Sequence, residues 1–208
     1  MVSKRESRPG SRPALRLKFG DRRDQLLAIG LGILVKEPIH KLSLDEVARK
    51  AEISRSLLFH YFPTKSDYFD AVLDVAAQRV LDNTAPPADA DPEAALRHVV
   101  SALFEQIDRR REFYLAFIFG QGALTLGGDR VATLRADLGQ RVVDVLELGE
   151  RDGAATIVHA WVAYVEDLAL QWTSVPEPQR GSTLAERVEH CVAALRGLIA
   201  LLPNARGA

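Results

Sequence analysis

Between Ser43 and Lys65 the chain carries three helix-start signals in close succession. Ser43-Leu44-Asp45-Glu46 has the form of a capping box, Ser54 is a second N-cap, and Thr64-Lys65-Ser66-Asp67 is a third cap of the form T-x-x-D. Helix N-termini present unpaired backbone N–H groups and a positive dipole end, chemistry that suits phosphate oxygens. Leu44, Val47, Ala48 and Ala51 follow the i, i+3, i+4, i+7 spacing of one buried helix face. A tight connection at Glu52-Ile53 leads to a short helix from Arg55 to about Tyr61, which Pro63 closes. Its outward positions are Arg55, Ser56 and His60, while Leu58, Phe59 and Phe62 are available for packing. Two short capped helices joined in this way outline a helix-turn-helix. Short polar side chains let such a helix enter the major groove, where Arg55 can reach a phosphate or a guanine edge. Lys65 adds a cation nearby. A plain helical hairpin in a bundle fits the same pattern.

The elements that position this segment read as helices throughout, with no β alternation and no internal repeat. Residues 1–20 are rich in Arg, Ser, Pro and Gly and are read as a flexible basic arm. A first helix spans about Asp21–Val35 with Leu26, Ile29, Ile33 and Leu34 inward, and a fourth continues to about Leu81. After Pro86-Pro87, Asp91-Pro92 starts a helix to about Asp108, and an aromatic-rich stretch follows. Long helices are expected over about Asp129–Leu148, Asp152–Thr173 and, from a capping box at Thr183-Leu184-Ala185-Glu186, to about Leu202. The expected fold is therefore all-α, with about nine helices. Its expected divisions are an arm (1–20), a three-helix helix-turn-helix domain (21–66), a connector helix to about 82, and a helical ligand-binding and dimerisation domain (83–208).

Charge divides the chain in the same place. Residues 1–66 hold 14 Lys and Arg against 7 acids, a net +7, whereas the rest holds 13 against 21, a net −8. A basic head on an acidic body points to a polyanion met by the head alone, although a solvated basic tail has the same composition. No apolar run approaches the roughly 18 residues that span a membrane, and the basic N-terminus lacks the apolar stretch of a signal peptide. The expected location is the cytoplasm. One cysteine, Cys191, excludes an intrachain disulfide and a Cys-based zinc site.

The run Leu44–Lys65, and above all His60-Tyr61-Phe62-Pro63-Thr64-Lys65, resembles the DNA-binding signature of the TetR family of bacterial regulators. The likeness covers about Arg22–Val75. It implies a homodimer of all-helical, Ω-shaped subunits that binds a palindromic operator in double-stranded DNA, and in which effector binding changes the spacing of the two heads. Carried over by position, Ser43 and Lys65 would touch phosphate. Ser54, Arg55, Ser56 and Leu57 would face the groove, and His60 and Tyr61 would contact phosphate or base edges. Two positions depart from the pattern. Glu52 stands where the family has glycine in the turn, and Lys36-Glu37-Pro38-Ile39-His40 replaces a loop that often contains glycine.

In the C-terminal body, Ile157, Trp161, Tyr164, Leu168 and Trp172 form one stripe, and Leu184, Val188, Cys191, Leu195, Leu198 and Leu202 another. In look-alikes these two helices pair across the twofold axis, so each stripe is expected to mix interface and intrachain core. Phe104, Phe113, Tyr114, Phe117, Trp161 and Tyr164, with His159, are candidates to line an apolar effector cavity; for any single one of the aromatics, ordinary core packing is the better explanation. His190-Cys191 point in different directions on a helix and Glu186 with His190 makes only two metal ligands, so no enzyme and no cofactor is expected. The expected activity is that of a repressor released by a small, mainly apolar effector. A ligand-independent architectural or cell-cycle DNA-binding protein, or a small-molecule-binding protein with a vestigial head, are the other readings.

Overall fold

A computed structural model describes residues 19–34, 42–119, 128–149 and 151–202. The regular elements among them are nine α-helices and one 3-10 turn, Glu177–Gln179. The helices are α1 (Phe19–Leu34), α2 (Leu44–Lys50), α3 (Arg55–Tyr61), α4 (Lys65–Asn83), α5 (Pro92–Arg109), α6 (Arg111–Phe119), α7 (Gly128–Val145), α8 (Ala154–Thr173) and α9 (Leu184–Ala200). Residues 1–18 of the expected basic arm, the loop of Lys36–His40 and residues 120–127 lie outside the described residues, while Phe19 and Gly20 belong to α1.

Four of the expected caps close as drawn, that of Ser54 through the N–H of Leu57. Thr64 and Thr183 each form a full capping box, with Asp67 and Glu186 respectively. Asp91 accepts from the N–H groups of Glu93 (3.0 Å) and Ala94 (2.9 Å), behind Pro92. The expected box at Ser43 does not close: Ser43 caps α2 through its carbonyl, which accepts from Val47 N at 3.1 Å, and its side chain makes no cap bond. Glu46 turns instead toward Lys50, 3.1 Å away, a favourable i, i+4 pair.

α4 is the beam that both halves share. Its buried side chains are Tyr68, Phe69, Val72, Leu73, Ala76 and Val80. It packs on α1 and also on α5 and α7. At the α1 crossing, the Tyr68 hydroxyl donates to the Leu26 carbonyl at 2.7 Å in a fully buried setting. Burial raises the pKa of that hydroxyl. The crossing is close enough that a Cβ on Gly30 would collide with Tyr68 Oη and lie 2.8 Å from Val72 Cγ2. Two arginines of α7 hold the other flank. Arg130 reaches Asp74 (2.6 Å) and Asp70 (3.0 Å), and Arg141 donates to the Leu81 carbonyl (2.6 Å) and Thr84 Oγ1 (2.7 Å), capping the end of α4.

α8 runs through the middle of the body, against α5, α7 and α9. Trp161 donates from its indole to the Cys191 carbonyl at 2.9 Å, which ties α8 to α9. Glu166, 2% exposed, bonds Arg135 of α7 at 2.5 Å. Burial raises its pKa although Arg135 opposes the shift. The two apolar stripes read from the sequence are mostly intrachain: Trp161, Val188, Cys191, Leu195 and Leu202 are buried within the subunit. The outward strips lie beside them, with Ala160, Tyr164 and Gln171 on α8, His190 and Gly197 on α9, and Leu201 at its C-cap, all exposed.

The α1–α4 crossing has a measurable consequence. Gly30→Ala should lower stability by about 1–3 kcal/mol, because the helices must part to admit the methyl. Tyr68→Phe should cost about 1 kcal/mol for the lost buried hydrogen bond. Denaturant unfolding of each variant checks both values. Wild-type stability in Gly30→Ala would mean that the crossing is looser than described.

Candidate nucleic-acid interface

The underside of the two short helices is apolar and buried: Leu44, Val47 and Ala48 on α2, and Leu58 with the following Phe62 on α3. With Leu58 fixed inward, helical spacing sends its neighbours out. Ser54, Arg55, Ser56, Leu57 and His60 are exposed, and Tyr61 is half-buried. Leu57 is 38% exposed, an apolar side chain that fits the methyl group of a thymine. Ser54 Oγ accepts from Leu57 N at 3.2 Å and so starts α3 where the sequence placed it. Ser43 is exposed at the start of α2 and Lys65 is exposed at the first position of α4.

The turn between α2 and α3 is a Schellman closure. Ile53 N donates to the Ala48 carbonyl (3.0 Å) and Glu52 N to the Arg49 carbonyl (3.2 Å). Glu52 adopts a positive φ of 55°, the left-handed conformation that glycine takes without cost. The departure noted in the sequence is thus accommodated, with some strain, and the turn keeps its form. The end of α7 repeats the device with Glu147 at φ 53°, which is why that helix stops at Val145 and not at Leu148.

Aromatic and charged side chains order the outward strip. Phe19 stacks on Tyr61 with ring centroids 4.4 Å apart and meets His60 edge-on at 6.0 Å. The apolar spacing that places the start of α1 near Asp21 leaves Phe19 out, yet Phe19 is the first Phe, Tyr or Trp in the chain and the next is Phe59. Arg55 Nη1 lies 3.1 Å from Asp45 Oδ1 of α2, and its guanidinium sits 5.5 Å from the centre of the Phe59 ring. Lys65 Nζ lies 5.0 Å from the Phe69 ring centre.

The candidate effector residues do not converge as one set. Phe104, Phe113, Tyr114 and Trp161 are buried. Phe104 packs edge-on against Trp172 at 5.8 Å, and Phe113 against Tyr114 at 5.9 Å. The void between Trp161, Val99, Leu103, Leu138 and Val165 is about 10 Å³, room for one water at most. His159 and Tyr164 point outward, and Tyr164 shares a 2.5 Å hydrogen bond with His190. The side chain of Phe117 lies outside the described residues. Tyr114 Oη is buried with no hydrogen-bond partner among the described residues, and the Glu166 carboxylate is close enough to raise its pKa further beyond the effect of burial. A larger surface groove, about 570 Å³, opens beside Glu105, Asp108, Trp172 and Glu186. Arg180 fills its floor, bonded to Asp108 at 2.5 Å with its guanidinium 4.1 Å from the Trp172 ring centre.

Burial pushes the Cys191 thiol up to about 12, so it is protonated at neutral pH and is no nucleophile. No group of three or more metal-ligating side chains occurs among the described residues. No described helix is long and apolar enough to cross a membrane.

Comparison with known proteins bears on this arrangement. The family model described as "Bacterial regulatory proteins, tetR family" matches residues 26–72. The chain is 32% identical over 117 residues to the HTH-type transcriptional activator FasR of Mycolicibacterium smegmatis, covering 52% of each chain. It is 29% identical over 167 residues to the HTH-type transcriptional regulator EthR of Mycobacterium tuberculosis, covering 76% of this chain and 64% of that one. The chain thus spans about half to two thirds of the length of these curated relatives. A tetR-family transcriptional regulator from Streptomyces coelicolor superimposes with a TM-score of 0.75 at 26% identity, over 89% of this chain and 83% of that one. A TetR-like regulator from Rhodococcus sp. RHA1 shares the fold at a TM-score of 0.63 and 20% identity, over 89% of this chain and all of that one.

The strain at Glu52 can be tested directly. Glu52→Gly should raise stability by up to about 1 kcal/mol, since removal of the left-handed penalty exceeds the glycine entropy cost. Glu52→Ala keeps the penalty and should show no gain. Thermal unfolding of the two variants side by side decides it, and a Glu52→Gly protein no more stable than wild type would contradict the assignment.

Proposed function

Since the chain belongs to the TetR family of bacterial regulatory proteins, we propose that it is a transcriptional regulator that binds a palindromic operator as a homodimer. The observation that carries this reading is the outward strip Ser54, Arg55, Ser56, Leu57 and His60, held on the buried Leu58. In this reading α3 enters the major groove, and Arg55 and Leu57 face base edges. Ser43, His60, Tyr61 and Lys65 contact phosphate or neighbouring base edges and set the register. Residues 21–66 form the reading head, α4 the connector, and residues 83–208 the dimerisation and effector domain. The +7 head supplies the sequence-independent attraction. A protein of this family is a regulator and not an enzyme, and its place of work is the cytoplasm, with the DNA.

The dimer is supported by the outward strips of α8 and α9. Ala160 and Gly197 offer small surfaces that let helices approach closely, between the exposed Tyr164, Leu198 and Leu201. Occupation of a palindrome by the dimer blocks polymerase access, so the expected effect is repression. Release by a small, mainly apolar effector is supported by Tyr114, whose buried hydroxyl has no partner among the described residues, with the Glu166 carboxylate nearby. A partnerless buried hydroxyl is costly, and a bound molecule would satisfy it. The tight packing around Trp161 favours the second reading, a ligand-independent DNA-binding protein.

Arg55→Ala and Lys65→Ala separate the roles. Arg55→Ala should weaken operator binding by about 1–3 kcal/mol and relax sequence preference at one base pair per half-site. Lys65→Ala should weaken binding to all duplexes alike and lower the salt slope by about 1. Affinities unchanged in both would remove the head assignment. A transcription assay on the bound promoter gives the sign; stimulation, the action of the transcriptional activator FasR, would replace repression. For the effector, native mass spectrometry of the dimer isolated from its own host should show a bound organic molecule that Tyr114→Phe retains poorly. A dimer without bound mass supports the ligand-independent reading.

A further inference from the structure

We propose that Asp45 is a positioning residue for base reading, holding the Arg55 guanidinium against Phe59 so that α3 discriminates for guanine at one position of each half-site. This rests on the proposal that α3 reads DNA. The argument begins with a pair that does little for the fold. Arg55 and Asp45 are 62% and 68% exposed, and an ion pair so exposed contributes almost nothing to stability. It is nevertheless built across the turn, between α2 and α3, ten residues apart in sequence. Both carboxylate oxygens address the same nitrogen: Arg55 Nη1 lies 3.1 Å from Oδ1 and 3.4 Å from Oδ2. The Phe59 ring, one helical turn on from Arg55, lies 5.5 Å from the guanidinium carbon. Charge on one edge and a ring face beside it fix the plane of a side chain that otherwise samples many rotamers.

That geometry leaves the opposite edge of the fork open. The pair uses Nη1, whereas Nε and Nη2 form the parallel pair of donors that matches O6 and N7 of a guanine. A guanidinium already oriented loses less rotamer freedom on binding, and the gain falls on the base whose acceptors it fits. The carboxylate also acts against wrong sites, because it lies where it repels the phosphate backbone if Arg55 swings away to contact phosphate instead. Asp45 therefore raises discrimination at the cost of general affinity. A plain surface ion pair has neither effect.

The experiment uses the full-length dimer and a library of duplexes with randomised palindromic half-sites, bound at physiological salt by wild type, Arg55→Ala and Asp45→Asn. Wild type should enrich a guanine at one position per half-site, and Arg55→Ala should lose that preference, which identifies the position. Asp45→Asn should keep its fold by circular dichroism, lose about tenfold of the guanine preference at that same position, and bind non-specific duplex more tightly than wild type. Retention of the full preference by Asp45→Asn would overturn the proposal while leaving DNA reading by α3 intact. So would an Arg55→Ala protein whose preferences match wild type at every position. Failure of wild type to enrich any duplex would instead bring down the underlying reading, and the proposal with it.

Discussion

The Tyr68 hydroxyl reaches across the head to the Leu26 carbonyl, and it can do so because Gly30 has no side chain where α1 and α4 cross. This contact sets how the N-terminal helices sit on the rest of the molecule. α4 carries Tyr68 near its start and Val80 near its end, so one rigid element belongs to both cores. Arg130 and Arg141 of α7 then hold α4 from the body side, at Asp70, Asp74 and its C-terminal carbonyls. A shift of α7 has no route past α4 that leaves α1 undisturbed, because packed helices move as units and not as fluids. In a dimer the same linkage would turn a change in the body into a change in the distance between heads.

The reading surface follows a different logic. Its inner side is settled by burial of Leu58 and Phe62, and its outer side by weak, exposed interactions. Arg55 with Asp45 and Phe59, Phe19 with Tyr61, and Lys65 with Phe69 each contribute little to stability, yet each restricts where an outward side chain points. The strained Glu52 turn is the counterpart in the backbone: a left-handed residue is tolerated because the two Schellman hydrogen bonds around it are made. Stability thus rests on one face of this seven-residue helix, and the proposed recognition on the other.

The body shows where inward and outward sets divide. Trp161 and Tyr164 lie three residues apart on α8, and both read as members of one apolar stripe. Trp161 is buried and bonded to the Cys191 carbonyl, while Tyr164 is exposed and bonded to His190. The stripe on α8 is wide enough to pack inward with some side chains and leave others exposed. Which residue meets which partner depends on the rotation of α8 about its axis, and α5, α7 and α9 set that rotation together.

Much of the fold was legible in the chain because its determinants are local. The caps at Ser54, Thr64, Asp91 and Thr183, the prolines at 63 and 92, and the 3.6-residue apolar spacing each act within a turn or two of helix, and they marked the helices and the head. The outward positions Arg55, Ser56 and His60 followed from Leu58 by the same periodicity. Long-range features were not legible. Nor was one local competition: Lys50, a single turn on, takes the Glu46 carboxylate that a box at Ser43 would need. Phe19, 42 residues from Tyr61, could be recognised as part of the site only once α1 lay beside α3. Likewise Tyr164 and His159 share their helix with Trp161, and only the packing of three other helices around α8 decided that the tryptophan goes in and they go out. Periodicity gives a helix its faces; tertiary contact decides what each face touches.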